Sequence, residues 1–467
     1  MTTRRSAGPD GAKRGQSHAE PKAPPNRGGE GSADRPGFFT TRRSAGPVAH
    51  DGVERSGAQH DILAVLPARA HDLARLRVLA AGGAPVVTVI GKYNHGKSRL
   101  LNELLGHDVF AVADRRQTVA LADREQDGVR WLDAPGIDAD VDNEDDRQAL
   151  QAAWLESDIR LFVHAAKEGE LDARELALLE TLRADSERTA RQLLFVLSQV
   201  DQLADEGEFD KVLAVIAQQL PGVPLHPVSS TRHRRGVEGG KTLMVERSGI
   251  PRLRDALTSA RAAVPQARGH ETTLLFDDIR AELQTLHERH EAKRSALRSE
   301  QQQQRLRFTE GLDAVFAKVG ADLRAVIDVP GPDPAQTVDT AADHYRQTAA
   351  KLERARIQVA YSRACIEIDG YLVGQGVSSL PSAQRTGARA MDSVMVAVMG
   401  VSVKHRADLR RLFCEPAGAE RLQRDFLRYF ELSRDRLALA ETITATEAAV
   451  ATAKQALSAL RALEAMA

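Results

Sequence analysis

Apolar positions divide the chain into stretches of different character. Up to about Gln59 large apolar residues are almost absent, and Gly, Pro, Ser, Arg and Ala dominate. Such a segment buries too little surface to offset its ordering entropy, so residues 1–59 are expected to be a disordered tail. From Ile62 to Leu79 apolar residues recur at helical spacing, which predicts a helix over Asp61–Ala80, ended by Gly82-Gly83. The period then changes. Val86-Val87-Thr88-Val89-Ile90 is a β-branched run that reads as a buried strand, and Thr118–Ala122, Val129–Asp133, Ile159–His164, Leu193–Leu197 and Leu225–Val228 read as further strands. Helical patterns lie between most of them, over Ser98–Leu105, Glu144–Leu155, Ala173–Arg183 and Phe209–Leu220. Gln126-Asp127-Gly128 reads as a hairpin turn. The second and third strands are therefore expected to be antiparallel and the rest parallel, with helices on both faces.

After about Gly269 the strand signal stops. Ile279, Leu283 and Leu286, then Leu312, Phe316, Val319 and Leu323, keep helical spacing, and Pro330–Pro334 breaks the run. In the last stretch Leu422, Phe426, Phe430, Leu437 and Ala440, continued by Val450, Leu457 and Leu460, are expected to share a face. The fold class expected is an α/β domain with a mostly parallel six-stranded sheet, followed by an all-α extended helical bundle. The expected organisation is a tail over 1–59, a helix over 60–82, an α/β domain over 84–265 and helices over 266–467.

A length of 467 residues suits two or three domains, and 42% hydrophobic residues can build their cores. The net charge of −1 gives no bulk electrostatic pull toward nucleic acid, so none is indicated as a partner. Two distant cysteines, Cys365 and Cys414, make no disulfide framework and fit a reducing, cytoplasmic setting. The N-terminus lacks an apolar signal region, and no apolar run reaches a membrane span. Val394–Val403, the most apolar run, reads either as a buried segment or as a peripheral membrane contact. The tail repeats Thr2-Thr3-Arg4-Arg5-Ser6-Ala7-Gly8-Pro9 at Thr40–Pro47, either as a docking motif or as a local duplication.

The chemistry begins at Gly91-Lys92-Tyr93-Asn94-His95-Gly96-Lys97-Ser98, a G-x-x-x-x-G-K-[ST] string between a strand and a helix. Gly91 and Gly96 let the backbone aim its N–H groups at phosphates, with Asn94, His95 and Arg99 in or beside the loop. Lys97 would reach the β- and γ-phosphates, and Ser98 would hold Mg²⁺. Asp133-Ala134-Pro135-Gly136 supplies a second Mg²⁺-ordering carboxylate and a γ-phosphate N–H at Gly136. Thr118 reads either as the hydroxyl that completes the Mg²⁺ shell or as an ordinary strand threonine. Ser198-Gln199-Val200-Asp201 follows a strand; the Asp201 carboxylate can accept from guanine N1–H and the 2-amino group together. Asp201 also fits a helix N-terminal acid. Ser229 and Ser230 could give backbone N–H groups to guanine O6. His164, His226 and His233 show no metal-ligand spacing and read as structural or solvated.

This ordered set resembles the translation-factor-related GTPases, specifically their Era/TrmE-like and bacterial dynamin-like branch. It is carried by Gly91–Ser98, Leu100–Leu105, Thr118, Asp133–Gly136, Ser198–Asp201 and Ser248–Leu253, between about Pro85 and Ala262. The resemblance implies a Ras-like G domain that binds GTP or GDP with Mg²⁺ and hydrolyses GTP, coupled to its helices, with the helix over 60–82 packing against the helical part. It also implies a K⁺ ion held near Asn94, which otherwise reads as a loop-structuring residue, and a homodimer through G domains or helices. Two residues depart from the pattern. Ser198 and Gln199 stand where the family has Asn/Thr-Lys, and Ile137 stands where Ras-like proteins place a water-orienting Gln. A non-hydrolysing nucleotide switch is the alternative reading.

Overall fold

The computed structural model describes residues 47–110, 122–133, 154–378 and 403–467, excepting the side chains of 47–54 and 122. The sheet and the helical cores belong to one compact unit, Gly52–Ala467. Helix α1 (Pro47–Val65) is followed by a 3-10 turn at Pro67–Arg69 and by α2 (Ala70–Ala81). One helix was expected over Asp61–Ala80, and Pro67 divides it. Leu66, preceding the proline, is forced out of helical backbone to φ −123°. The tail was also expected to reach Gln59, but helix begins at Pro47. Arg55 donates to the Met466 carbonyl and Gln59 accepts from Arg77 at 2.6 Å, so this stretch is held by side-chain bonds that apolar content does not reveal.

Six strands form one sheet in the order β2-β3-β1-β4-β5-β6. They are β1 (Val86–Ile90), β2 (Ala122–Gln126), β3 (Val129–Asp133), β4 (Ile159–Ala165), β5 (Gln192–Ser198) and β6 (Leu225–Pro227). Only β2 and β3 pair antiparallel. Asp127 and Gly128 take φ of 53° and 68°, as a tight two-residue hairpin requires. The second strand begins at Ala122 rather than lying over Thr118–Ala122; residues 111–121 lie outside the described ones, as does most of the helix expected over Glu144–Leu155.

Helix α3 (Lys97–Leu105) and the start of a 78-residue helix, α8 (Ile250–Ile327), cover one face of the sheet. Helices α4 (Ala173–Thr189) and α5 (Glu206–Gln219) cover the other, where Phe162 stacks on Phe195 at 5.7 Å. Between β6 and α8 lie α6 (Ser230–Glu238) and α7 (Thr242–Glu246). At 1.5 Å per residue α8 is about 117 Å long. It joins successive cores: Leu253 and Leu257 pack under the sheet, Phe276 and Ile279 pack with α1 and α2, and Phe308 and Phe316 belong to the distal core. The expected boundary at residue 265 therefore falls within one helix, at its internal Pro265.

The distal core adds α9 (Ala349–Gly374) and α10 (Pro416–Glu431), and α11 (Arg434–Ala465) returns along α8 to α1 and α2. Leu437, expected on the face of Leu422, Phe426 and Phe430, is 45% exposed. The helix ends at Glu431 and a new one starts at Arg434, so the phase is not carried across. No described helix is long and apolar enough to cross a membrane.

Candidate functional site

The loop after β1 carries the first group of candidates. Gly91 has φ 157°, and a Cβ there would sit 2.2 Å from the Val163 carbonyl oxygen of β4. Glycine is required because the loop leaves β1 hard against the neighbouring strand. Asn94 (φ 60°) and Gly96 (φ 84°) take left-handed backbone, which turns the chain into α3. The first N–H groups of α3 have no intrahelical partners and face the loop end of the helix, where its dipole favours an anion. Lys97 Nζ donates to the Gly91 and Lys92 carbonyls at 2.9 and 2.8 Å, so its charge arches over the loop.

The structure brings the two described Mg²⁺ candidates together. Ser98 Oγ donates to Asp133 Oδ2 at 2.6 Å, across from the end of β3. The other oxygen, Asp133 Oδ1, is buried without a hydrogen-bond partner. Burial raises the Asp133 carboxyl above its ordinary range, opposed by the Ser98 bond and the Lys97 charge. A hydroxyl and a desolvated carboxylate with an unused oxygen fit a hard divalent cation of the Mg²⁺ type. Thr118, Gly136 and Ile137 lie outside the described residues.

Ser198 and Gln199 end β5 and reach the loop. Ser198 Oγ donates to the His95 carbonyl at 2.5 Å, and Gln199 Nε2 donates to the Asn94 carbonyl at 2.6 Å. The two unusual residues of this motif thus fasten the end of β5 to the loop after β1. Asp201 is exposed in the following 3-10 turn. Ser229 differs from expectation. Its N–H donates to the Ser248 carbonyl at 2.8 Å and its Oγ caps α6, so it has no free N–H for a base. Ser230, first residue of α6, keeps that candidacy. Gly249, at φ 76°, is needed where α8 starts, because a Cβ would lie 2.0 Å from the Pro227 carbonyl oxygen. Arg99 is exposed on α3.

His95 also differs: its ring is buried beneath the loop rather than presented on it, with Nδ1 3.2 Å from the Val163 carbonyl oxygen. Desolvation lowers its pKa to about 4, against the pull of Glu175, so it is neutral near pH 7. His164 Nδ1 lies 2.9 Å from Glu175 Oε1, and Lys92 Nζ lies 3.0 Å from Glu175 Oε2. Their ligand atoms place His95, His164 and Glu175 within 4.8 Å of one another, although no spacing in the chain suggests a cluster. His164 and His233 are buried and bonded to Glu175 and Glu103, so neither is solvated. Only the fold reveals these pairs, since each joins separate elements.

Comparison with known proteins agrees with this geometry. Residues 86–199 match the family described as 50S ribosome-binding GTPase. An uncharacterized protein of Acinetobacter baylyi is 48% identical over 386 residues, 82% of this chain and 92% of the relative. GTPase Era of Nitratidesulfovibrio vulgaris is 27% identical over 31% of this chain and 49% of Era. GTPase Der of Alkaliphilus metalliredigens is 30% identical over 25% of this chain and 27% of Der. The chain therefore spans half or less of Era and Der. It belongs to the family of the Acinetobacter baylyi protein, and it carries a P-loop GTPase domain related to those of the translation-factor type.

Proposed function

We propose that this chain binds GTP with Mg²⁺, hydrolyses it, and passes the nucleotide state to its helices through α8. The observation that carries the reading is the Ser98–Asp133 pair, with its unused carboxylate oxygen, beside the Lys97 ammonium and the start of α3. Ser98 and Asp133 would hold Mg²⁺, with Thr118 as the third proposed ligand. When bound, that ion neutralises charge on the β- and γ-phosphates. Lys97 and the amides of Gly91–Ser98 would hold the phosphates. Gln199 replaces a lysine without its charge, yet keeps the base segment on the loop through the Asn94 carbonyl.

Asp201 would choose the base. Asp201→Asn should weaken GTP binding and shift preference toward xanthine nucleotides, because the amide donates to the O2 that replaces the 2-amino group. Loss of one charge-assisted pair is expected to weaken GTP by about tenfold to a hundredfold. Competition of labelled GTP by XTP and ATP measures it; an unchanged preference for GTP would assign base reading to another residue.

Asn94 would place a monovalent cation, a role that suits a site where Ile137 cannot orient water. Turnover should be higher in K⁺ than in Na⁺ at equal ionic strength, and Asn94→Ala should erase the difference. By analogy with an arginine finger, the loss in kcat is expected to be on the order of 10³-fold. Affinity should barely change, because the loop amides and Lys97 hold the ground state. Phosphate release in each salt is the test; equal rates at high protein concentration would place the catalytic charge in trans. Bound GTP with no phosphate release in either salt would instead support the non-hydrolysing switch, which the Ser198-Gln199 substitution favours.

Coupling to the helices is supported by where α8 begins. Ser248 accepts from Ser229 and Gly249 abuts Pro227, so α8 starts on the loop after β6 that leads to Ser230. The shared core of α1, α2, α8 and α11 supports the dynamin-like layout. Self-association driven by GTP but not GDP, through G domains or helices, and a membrane contact belong to the same proposal. Light scattering with each nucleotide, with and without liposomes, tests both.

A further inference from the structure

Helix α9 has two apolar faces, and only one is covered by the described residues. Ala350, Ile357, Ala364, Ile368 and Leu372 are buried in the distal core, and Tyr371 donates to the Phe308 carbonyl at 2.8 Å. On the other side Leu352, Val359, Ile366 and Val373 are 57%, 54%, 71% and 51% exposed. They recur every seventh residue. Tyr345 and Val338 precede the helix and have no place in its register. Scattered surface apolar residues are ordinary and need no explanation, but four at heptad spacing along one helix mark a coiled-coil seam. Three residues after each of Leu352 and Val359 stand Ala355 and Ser362, both exposed and small enough for a second helix to approach closely.

Charge decides what that helix is. Arg356 and Arg363 each stand four residues after a seam residue and are exposed. Arg356 donates to the Ala325 carbonyl at 3.0 Å, and Arg363 has no hydrogen bond or ion pair among the described residues. On the arginine side of the seam the carboxylates are committed elsewhere, Glu353 to Arg406 at 2.6 Å and Glu367 to Lys318 at 2.5 Å; Asp369, three residues after Ile366, stands on the other side. The arginine flank is thus positive and uncompensated among the described residues. A second copy is a poor occupant. In parallel pairing Arg356 would face Lys351 of the copy, and in antiparallel pairing the two arginine rows would share one side; like charges oppose either arrangement. We propose that the outer face of α9 docks an amphipathic helix of another protein, whose aliphatic seam is flanked by Asp or Glu at heptad spacing.

The test uses the full chain and two designed helical peptides of about four heptads, with Leu along the seam and either Glu or Lys on the flanks. Fluorescence anisotropy should show saturable binding of the Glu peptide and at least about tenfold weaker binding of its Lys twin. Ile366→Glu and Val359→Glu should each weaken the Glu peptide by about tenfold or more; both sites are exposed, and circular dichroism checks that the fold is kept. Arg356→Glu with Arg363→Glu should reverse the preference between the peptides. Three outcomes would overturn the proposal. They are no binding of either peptide, equal binding of both, or a chain that sediments as a dimer and becomes monomeric with Ile366→Glu.

Discussion

Lys97→Ala is expected to lower GTP affinity by a hundredfold to a few thousandfold while the chain stays folded. The ammonium would meet β- and γ-phosphate oxygens, and each charge-assisted hydrogen bond contributes about 1.5–3 kcal/mol. Two such bonds correspond to roughly 10²–10⁴ in Kd. The fold should survive because the bonds of Lys97 Nζ at 2.9 and 2.8 Å go to loop carbonyls of Gly91 and Lys92, not into an apolar core. Titration with a fluorescent GTP analogue, beside a thermal melt of the same variant, measures both halves. Wild-type affinity in the variant would remove the phosphate-binding role from this loop. A lowered melt with lost binding would instead give Lys97 a structural role in holding the loop closed.

How far the sequence carries this reading depends on the range of each signal. The sheet was legible because Val86–Ile90 and Val129–Asp133 are local runs with β-branched or alternating character, and Asp127-Gly128 is a turn with one geometry. The Gly91–Ser98 loop was legible because its spacing is chemical. The break at Pro67 was available in the sequence but masked by the continuous apolar pattern on either side. The continuity of α8 was not legible. The end of the strand signal suggested a boundary, whereas tertiary packing of Val264 and Ala267 on both sides of Pro265 carries the helix through. Ser229 was misplaced because its N–H is taken by Ser248, a contact between two loops. The group of Lys92, His95, His164 and Glu175 has no periodicity; it exists only after β1, β4 and α4 are side by side.

The second large effect is expected at Glu271, outside the candidate site. Glu271 is 1% exposed on α8 and accepts from Arg75 of α2 at 2.8 Å and from Arg191, just before β5, at 2.8 Å. Asp158 beside it accepts from Arg75 at 3.1 Å, Arg268 at 2.6 Å and the Val86 N–H at 2.9 Å. Three arginines and two carboxylates thus bind α2, α8 and the starts of β1, β4 and β5 in one dry joint. Glu271→Ala would leave Arg191 buried without its carboxylate, and breaking a buried pair this way is expected to destabilise by about 3–5 kcal/mol. Glu271→Gln keeps an acceptor and should lose less. The pH dependence has a definite sign. Burial would raise the Glu271 carboxyl, but Arg191 and Arg75 outweigh it and hold the pKa below the ordinary 4.5. A depressed folded pKa gives stability that is present above about pH 4.5 and is lost as pH falls further. Wild-type melting temperature should therefore fall more steeply than that of Glu271→Ala below this point, and melts from pH 3.5 to 7 check it. Parallel curves would show that the joint carries no net stability. The joint lies at the strand starts, whereas Gly249 holds α8 at the strand ends, against the loop after β6. On the proposed coupling, a nucleotide-driven shift of the loop after β6 would turn α8 as a whole rather than bend its first turns, because α8 is held at both places. Glu271→Gln should accordingly keep GTP affinity and lose nucleotide-dependent change in the distal helices, read by hydrogen exchange of α9 and α10 with GTP and GDP.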